Sequence, residues 1–156
     1  VVSKWDTIKN HGMAMKELER RLKEHLPQAK GAPLVTLSGL TGKRMDRLMP
    51  AVAKTYDDWC ARVKTGDLNR WLRYMIERNP PPSVQGKRIK PRYMAQIKAR
   101  PPTFVLMASR GKQMPETYKR YLVNGLREAF DLAGVPIRLI IRQGANPYAD
   151  KARRKR

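Results

Sequence analysis

The stretch Ser3-Lys4-Trp5-Asp6 places a lysine and a carboxylate two residues apart, directly after two β-branched valines. A carboxylate in this position can accept hydrogen bonds from both the N1–H and the exocyclic amino group of guanine, whereas adenine offers no such pair of donors. The aliphatic stem of the lysine can lie over the purine ring. The pattern favours a guanine-reading loop in which Lys4 stacks on the base and Asp6 pairs with it. The alternative is a chance Lys-x-Asp on a surface loop.

A second loop supports the guanine interpretation. Ser38, Gly39 and Leu40 directly follow an apolar run, 33–37, that is predicted to be a buried strand. A backbone N–H of such a loop can donate to guanine O6. Ligands of open α/β sheets bind at the carboxyl ends of parallel strands, so the two loops are predicted to form one site.

The segment Gly39-Leu40-Thr41-Gly42 also matches the Gly-x-x-Gly backbone clamp of RNA-binding KH domains. The KH clamp joins two helices, whereas this segment joins a predicted strand to a predicted helix. The turn interpretation is therefore preferred to the clamp.

Apolar periodicity predicts the elements that position these loops. Residues 1–64 alternate strand and helix, as a parallel α/β sheet does, with strands at 1–2 and 33–37 and helices at 13–26 and 45–63. Two strands are too few to cover both helices, so this part is predicted to be the rear of a larger domain. Residues 65–148 predict an α-β-β-α-β domain with a three-stranded sheet, its elements lying near 68–76, 93–97, 103–108, 115–132 and 137–141.

The charge predicts a polyanionic partner. The chain carries 34 Lys and Arg against 13 Asp and Glu, a formal net charge of +21, and residues 65–156 hold 21 of the basic side chains and 6 of the acidic ones. Such a surface attracts nucleic acid first. The predicted phosphate contacts lie in a basic loop at 85–92, in a second loop after 103–108 and in a basic tail at 149–156: Lys87, Arg88, Lys90, Arg92, Arg110, Lys112, Lys151, Arg153 and Arg154. Tyr93 and Phe104 could stack on bases, but their apolar alternation favours the core.

Catalytic and metal-binding patterns are missing from the sequence. No Gly-x-x-x-x-Gly-Lys-Ser/Thr phosphate loop occurs, so the chain alone is not expected to hydrolyse GTP. His11, His25 and Cys60 are the only histidines and the only cysteine, and they predict no metal site. A single cysteine fits a reducing cytoplasm, and no apolar run reaches the ~18 residues of a membrane span.

Three segments, RPPTFVLMASR, YKRYLVNGLREAFDLAGVPIRLIIRQGANPY and LNRWL…NPPP, resemble the C-terminal end of the Der (EngA) tandem-GTPase family of bacterial ribosome-assembly factors. The resemblance covers essentially the whole chain. It implies the rear of a P-loop GTPase domain at 1–64, a KH-like domain without the Gly-x-x-Gly clamp at 65–148 and a tail at 149–156. It also implies GTP or GDP with magnesium held by residues outside this chain, upstream GTPase domains, and ribosomal RNA of the large subunit as partner.

The same resemblance identifies Ser3, Lys4, Asp6, Ser38, Gly39 and Leu40 as the guanine-binding residues. Ser3 stands where the family has an asparagine that bonds guanine N7 and ties this loop to the phosphate-binding loop. Affinity and loop order are therefore expected to differ, whereas base identity, read by Asp6, is not. Two other classes stay open: a standalone RNA-binding module without nucleotide function, and a membrane-surface protein, which the mixed-sign polar faces of the helices disfavour.

Overall fold

The computed structural model describes residues 1–26, 31–84 and 86–143. The chain forms two compact units. The first unit contains Val1–Arg62, Lys98–Pro102 and Leu126–Ile137. The second contains Val63–Ile97, Thr103–Gly125 and residues 138–143. The predicted boundary between residues 64 and 65 stays a prediction.

The first unit is built on helices α1, His11–His25, and α2, Leu48–Cys60. The strand predicted over 33–37 is reduced to one parallel bridge, Val2 to Thr36, with hydrogen bonds from Val2 N–H to Val35 O (2.8 Å) and from Leu37 N–H to Val2 O (2.9 Å). The helix predicted over 45–63 is shorter, because its first turn, Met45–Arg47, is a 3₁₀ turn and its last residues are extended. These elements still bring the ends of the two polar loops together.

Residues 65–143 have the predicted α-β-β-α-β order. Helix α3, Thr65–Arg78, leads through a short hairpin to strands β3, Pro91–Lys98, and β4, Thr103–Ala108, and helix α4, Glu116–Ala129, connects β4 to strand β5, Arg138–Gln143. The sheet order is β3-β4-β5, and β4 and β5 pair in parallel from Thr103–Arg138 to Ala108–Gln143. The predicted three-stranded sheet is therefore confirmed, and its parallel pair follows from the helical crossover.

The predicted basic loop at 85–92 is wrong in part. Strands β1, Ser83–Val84, and β2, Lys87–Arg88, form a small antiparallel pair, and Gly86 between them has φ of 70°. A positive φ is easily adopted by glycine, which has no Cβ, and allows the tight reversal. The hairpin holds part of the predicted basic loop in a regular backbone conformation.

Helices α3 and α4 bury one face each. The buried side chains recur at helical spacing, namely Leu68, Leu72 and Met75 on α3 and Tyr118, Leu122 and Leu126 on α4. A Cβ at Gly125 would lie 2.4 Å from Met75 Cε and 3.0 Å from Trp71 Cζ2, so glycine permits this approach of the helices. The hydroxyls of Tyr118 and Tyr121 donate to Asn79 O (2.8 Å) and Met75 O (3.1 Å), which satisfies carbonyls at the end of α3.

Asn69 covers the free edge of the sheet. Its amide oxygen accepts from Met94 N–H at 2.9 Å, and its amide nitrogen donates to Met94 O at 3.0 Å. One side chain on α3 thus supplies both backbone partners that a further strand would have offered to β3.

Candidate guanine-binding site and nucleic-acid surface

The two polar loops meet in the first unit around one cavity of about 300 Å³. Trp5 N–H donates to Leu37 O at 3.1 Å and so extends the Val2–Thr36 pairing into the loops. The cavity is lined by Trp5, Asp6, His11, Leu37, Ser38, Lys43 and Arg44. A cavity at the ends of two parallel segments is the arrangement that the sequence predicted for a base.

Lys4 and Trp5 give the first loop its shape. Lys4 has φ of 55°, and Thr7 Oγ1 donates to its carbonyl oxygen at 2.9 Å. Trp5 is buried, and its ring stacks on the His11 ring with centroids 5.0 Å apart. His11 Nε2 also lies 3.0 Å from Trp5 O. The middle residue is thus anchored inward, while Lys4 and Asp6 on either side of it are exposed.

Ser38 fixes the second loop and contacts the first. It is almost fully buried, its N–H donates to Lys43 O at 3.1 Å, and its hydroxyl oxygen accepts from Thr41 N–H at 3.2 Å. The pKa of the exposed Asp6 carboxyl is lowered, chiefly by a hydrogen bond from the Ser38 hydroxyl and in lesser part by the charge of Lys43. Asp6 is therefore held as a carboxylate, the form that only accepts hydrogen bonds.

The other predicted guanine-binding residues lie outside the cavity lining. Ser3 and Lys4 are exposed, and so are Gly39 and Leu40 at the tip of the second loop. A Cβ built on Gly39 would have no heavy atom within 4 Å, so the surrounding structure leaves room for a side chain at this position. The contribution expected from the second loop is a backbone N–H, and Gly39 and Leu40 are exposed.

Five residues that line the cavity were not predicted as site residues from the sequence: Trp5, His11, Leu37, Lys43 and Arg44. Arg44 has φ of 62° and donates to the buried Thr36 hydroxyl at 2.7 Å, which links the end of the second loop back to the parallel bridge. Lys43 and Arg44 reach the cavity because the hydrogen bond from Ser38 N–H to Lys43 O closes the second loop. No periodic pattern in the sequence indicates this closure.

The described residues of the cavity offer groups that suit a guanine base. Asp6 offers an accessible carboxylate, and the adjacent lysines offer stems and positive charge. Among the described residues, no three His, Cys, Asp or Glu side chains are grouped as a metal site requires.

The predicted phosphate contacts that the structure describes gather at one end of the second unit. Ser109 N–H donates to Lys90 O at 3.0 Å, and Lys90 N–H donates to Ser109 Oγ at 2.9 Å. These two bonds tie the segment after β2 to the loop that carries Arg110 and Lys112. Arg88, Lys90 and Lys112 are exposed and Arg110 is half-buried.

The remaining predicted contacts are placed differently or are not described. Arg92 lies in strand β3 rather than in a loop, with its side chain exposed, and Lys87 lies in strand β2. Lys151, Arg153 and Arg154 lie outside the described residues. Phe104 is fully buried, which confirms its assignment to the core, whereas the same assignment was wrong for Tyr93, which is exposed.

The loop Arg110-Gly111-Lys112 packs closely on strand β5. A Cβ at Gly111 would lie 2.7 Å from Ile141 Cγ2 and 3.3 Å from Arg142 O, so this position needs glycine. Arg110 has φ of 57° and begins the 3₁₀ turn Gly111–Gln113. Its two basic side chains are thus carried by a loop of defined conformation.

Within the described residues, no helix combines the length and the apolar character that crossing a membrane requires.

Comparison with known proteins gives the family. The family model described as "KH-domain-like of EngA bacterial GTPase enzymes, C-terminal" matches residues 62–142, just over half of the chain. The curated relatives are named GTPase Der: the chain is 68% identical to that of Hyphomonas neptunium over 151 residues, 50% identical to that of Nitrobacter winogradskyi over 154 and 48% identical to that of Parvibaculum lavamentivorans over 154.

These alignments cover 97%, 99% and 99% of this chain but 30%, 34% and 33% of the relatives. The chain therefore spans about a third of the length of the curated proteins that it matches. The α-β-β-α-β unit is the KH-like fold that the family model describes. The chain belongs to the KH-domain-like C-terminal family of the EngA bacterial GTPases.

Proposed function

We propose that this chain supplies the guanine-reading loops and the RNA-binding KH-like domain of a GTP-binding, cytoplasmic ribosome-assembly factor. The observation that carries the proposal is the convergence of Asp6 and Ser38 on one cavity. The family shown by the comparisons supplies the context, since the relatives are named GTPase Der.

The guanine base would lie against Asp6. A carboxylate held in its charged form accepts from two guanine donors, and adenine presents an acceptor where the first of these lies. The Lys4 stem would cover one face of the base, and a backbone N–H of the second loop would meet O6. Other parts of the longer protein would hold the phosphates of the nucleotide and the magnesium ion, which would stabilise the charge that develops during hydrolysis.

The second half would bind ribosomal RNA of the large subunit through phosphate contacts. The exposed residues Arg88, Lys90 and Lys112 stand at one end of the KH-like unit, and no Gly-x-x-Gly lies between its helices to read bases. Affinity should therefore rest on charge and on the shape of the RNA, with little sequence preference.

Upstream residues of the longer protein would complete the first unit. An apolar groove of about 630 Å³ lies along helix α2, on which no side chain is fully buried. Val52 and Tyr56, both half exposed, line it together with Val1 and Val35. The relatives' additional length provides a source for the covering segment.

The guanine proposal is tested with full-length protein containing this segment. In calorimetric titration, GDP should bind more tightly than IDP, which lacks the exocyclic amino group. IDP should in turn bind more tightly than ADP. The present chain alone should show no magnesium-dependent GTP turnover above a buffer blank, since its sequence contains no phosphate loop. Equal affinities for GDP and ADP would contradict the proposal.

The RNA proposal is tested with the 156-residue chain. The logarithm of the affinity should fall with the logarithm of salt concentration by roughly 0.7 to 0.9 per neutralised phosphate. Replacing Arg110 and Lys112 with Ala should reduce the slope by the amount expected for up to about two phosphate contacts. Removing Lys151–Arg156 should weaken binding to all RNAs alike. An RNA affinity that is nearly independent of salt would contradict the proposal. RNA binding by a full-length protein that shows no selectivity for guanine nucleotides would instead favour an RNA-binding module without nucleotide function.

A further inference from the structure

One face of the β3-β4-β5 sheet combines exposed apolar side chains with arginines. Because strand residues alternate between faces, Tyr93 and Ile97 lie opposite the fully buried Met94. They are 46% and 48% exposed. Both side chains are therefore accessible along the β3 edge of this face.

Strand β5 contributes the charged part of the same face. Leu139 and Ile141 are in register with the fully buried Phe104 and Leu106, so they point toward the core. The alternate residues, Arg138, Ile140 and Arg142, therefore point away from it. Ile140 is 39% exposed, and both arginines are exposed.

The outward positions of the three strands contain no acidic residue. They are Pro91, Tyr93, Ala95 and Ile97 on β3, Thr103, Val105 and Met107 on β4, and Arg138, Ile140 and Arg142 on β5. Strands lie about 4.8 Å apart, so the aromatic edge and the arginine edge are separated by about 10 Å. At its centre Thr103 and Val105 are buried and Met107 is half-buried. The exposed part of the face is therefore aromatic and aliphatic on β3 and mainly cationic on β5.

We propose that this face binds unpaired bases of single-stranded RNA, with Tyr93 stacking on a base and Arg138 and Arg142 contacting phosphates. The proposal rests on the RNA-binding function proposed above and adds a second surface to the phosphate contacts. Bases offer π faces that stack on aromatic rings whatever the sequence, and arginines attract the backbone between them. A protein partner would match the exposed apolar side chains but would need acidic groups opposite both arginines.

The test compares an unstructured single-stranded RNA with an RNA duplex of equal length, using the whole 156-residue chain. Tyr93→Ala should weaken binding of the single strand by about fivefold or more, the loss expected for one stacked base, and leave duplex binding unchanged. Tyr93→Phe, which keeps the ring, should bind as the wild type does. The double variant Arg138→Ala/Arg142→Ala should weaken single-strand binding and flatten its salt slope.

Matched controls come from helix α3 of the same unit. Tyr74 is 57% exposed, and Arg73 is exposed beside it. Tyr74→Ala and Arg73→Ala should leave both affinities unchanged, and circular dichroism should give the same thermal transition for all variants.

If Tyr93→Ala behaves as Tyr74→Ala does while Arg110→Ala/Lys112→Ala weakens binding, the sheet face is not the contact and the proposed RNA function stands. If Tyr93→Ala changes only the oligomeric state in solution, the face is a protein interface and the inference is overturned. If the wild type binds neither RNA, the proposed RNA function itself fails.

Discussion

The buried Ser38 hydroxyl is the main cause of the lowered pKa of the exposed Asp6 carboxyl, and its oxygen accepts from Thr41 N–H at 3.2 Å. One side chain therefore joins the two loops that the sequence places 32 residues apart. Because this interaction favours the carboxylate form that would read the base, we expect the two loops to act as one site.

Replacing Ser38 with Ala should raise the pKa of Asp6 toward its ordinary value, since the largest cause of its lowering is removed. The pKa of Asp6 is lower in the folded than in the unfolded chain. The bond's stabilisation is therefore present above the unfolded pKa of about 3.9 and is lost as pH falls through the folded value. NMR titration of the Asp6 carboxyl carbon measures this change. An unchanged pKa in the variant would show that Ser38 does not hold Asp6.

Asn69→Ala should lower the free energy of unfolding by about 1 to 3 kcal/mol, because it leaves the N–H and C=O of Met94 without their partner. Asn69→Asp keeps an acceptor for Met94 N–H but loses the donor to Met94 O, so its loss should be smaller. Urea unfolding gives both values, with Thr117→Ala on the exposed start of α4 as control. Equal losses for Asp and Ala would indicate that only the donated bond matters.

Gly134→Ala should be more destabilising than Gly42→Ala. Both glycines have positive φ, 74° and 69°, so both substitutions carry the roughly 1 to 2 kcal/mol cost of a left-handed alanine. At Gly134 the new Cβ would also lie 2.5 Å from Ala32 Cα, whereas at Gly42 nothing lies within 4 Å. The difference between the two urea midpoints isolates the steric cost, and equal midpoints would mean that the backbone yields without strain.

Sequence patterns predicted the elements that are long or sharply bounded. Strand β4 was predicted at 103–108 and is found at Thr103–Ala108, because a continuous apolar run lies between Pro102 and the polar Ser109-Arg110. The α-β-β-α-β order followed from helix-length stripes that end at Asn79-Pro80 and at Gly134. Such boundaries are set by proline, glycine and polar residues whose backbone preferences are local, so they can be predicted from the sequence.

Features that depend on tertiary context were not predicted. The alternation around Tyr93 identifies two faces of β3 but not which of them the helices cover, so Tyr93 was wrongly assigned to the core. The hairpin of β1 and β2 has strands of two residues, too short for any alternation to show. At the candidate site, the two-residue spacing of Lys4 and Asp6 is recognisable in the sequence. Lys43, in contrast, reaches the cavity because its carbonyl oxygen accepts a hydrogen bond from Ser38 N–H.

The most direct test of the account is the nucleotide selectivity of Asp6→Asn in a full-length protein containing this segment. An amide donates where the carboxylate only accepted, so GDP affinity should fall by about tenfold or more, as loss of hydrogen bonds to a charged group implies, and XDP affinity should rise. Asp57→Asn, on exposed helix α2, is the matched control and should change neither affinity. Unchanged GDP and XDP affinities in the Asp6 variant would contradict the assignment of these loops to guanine recognition.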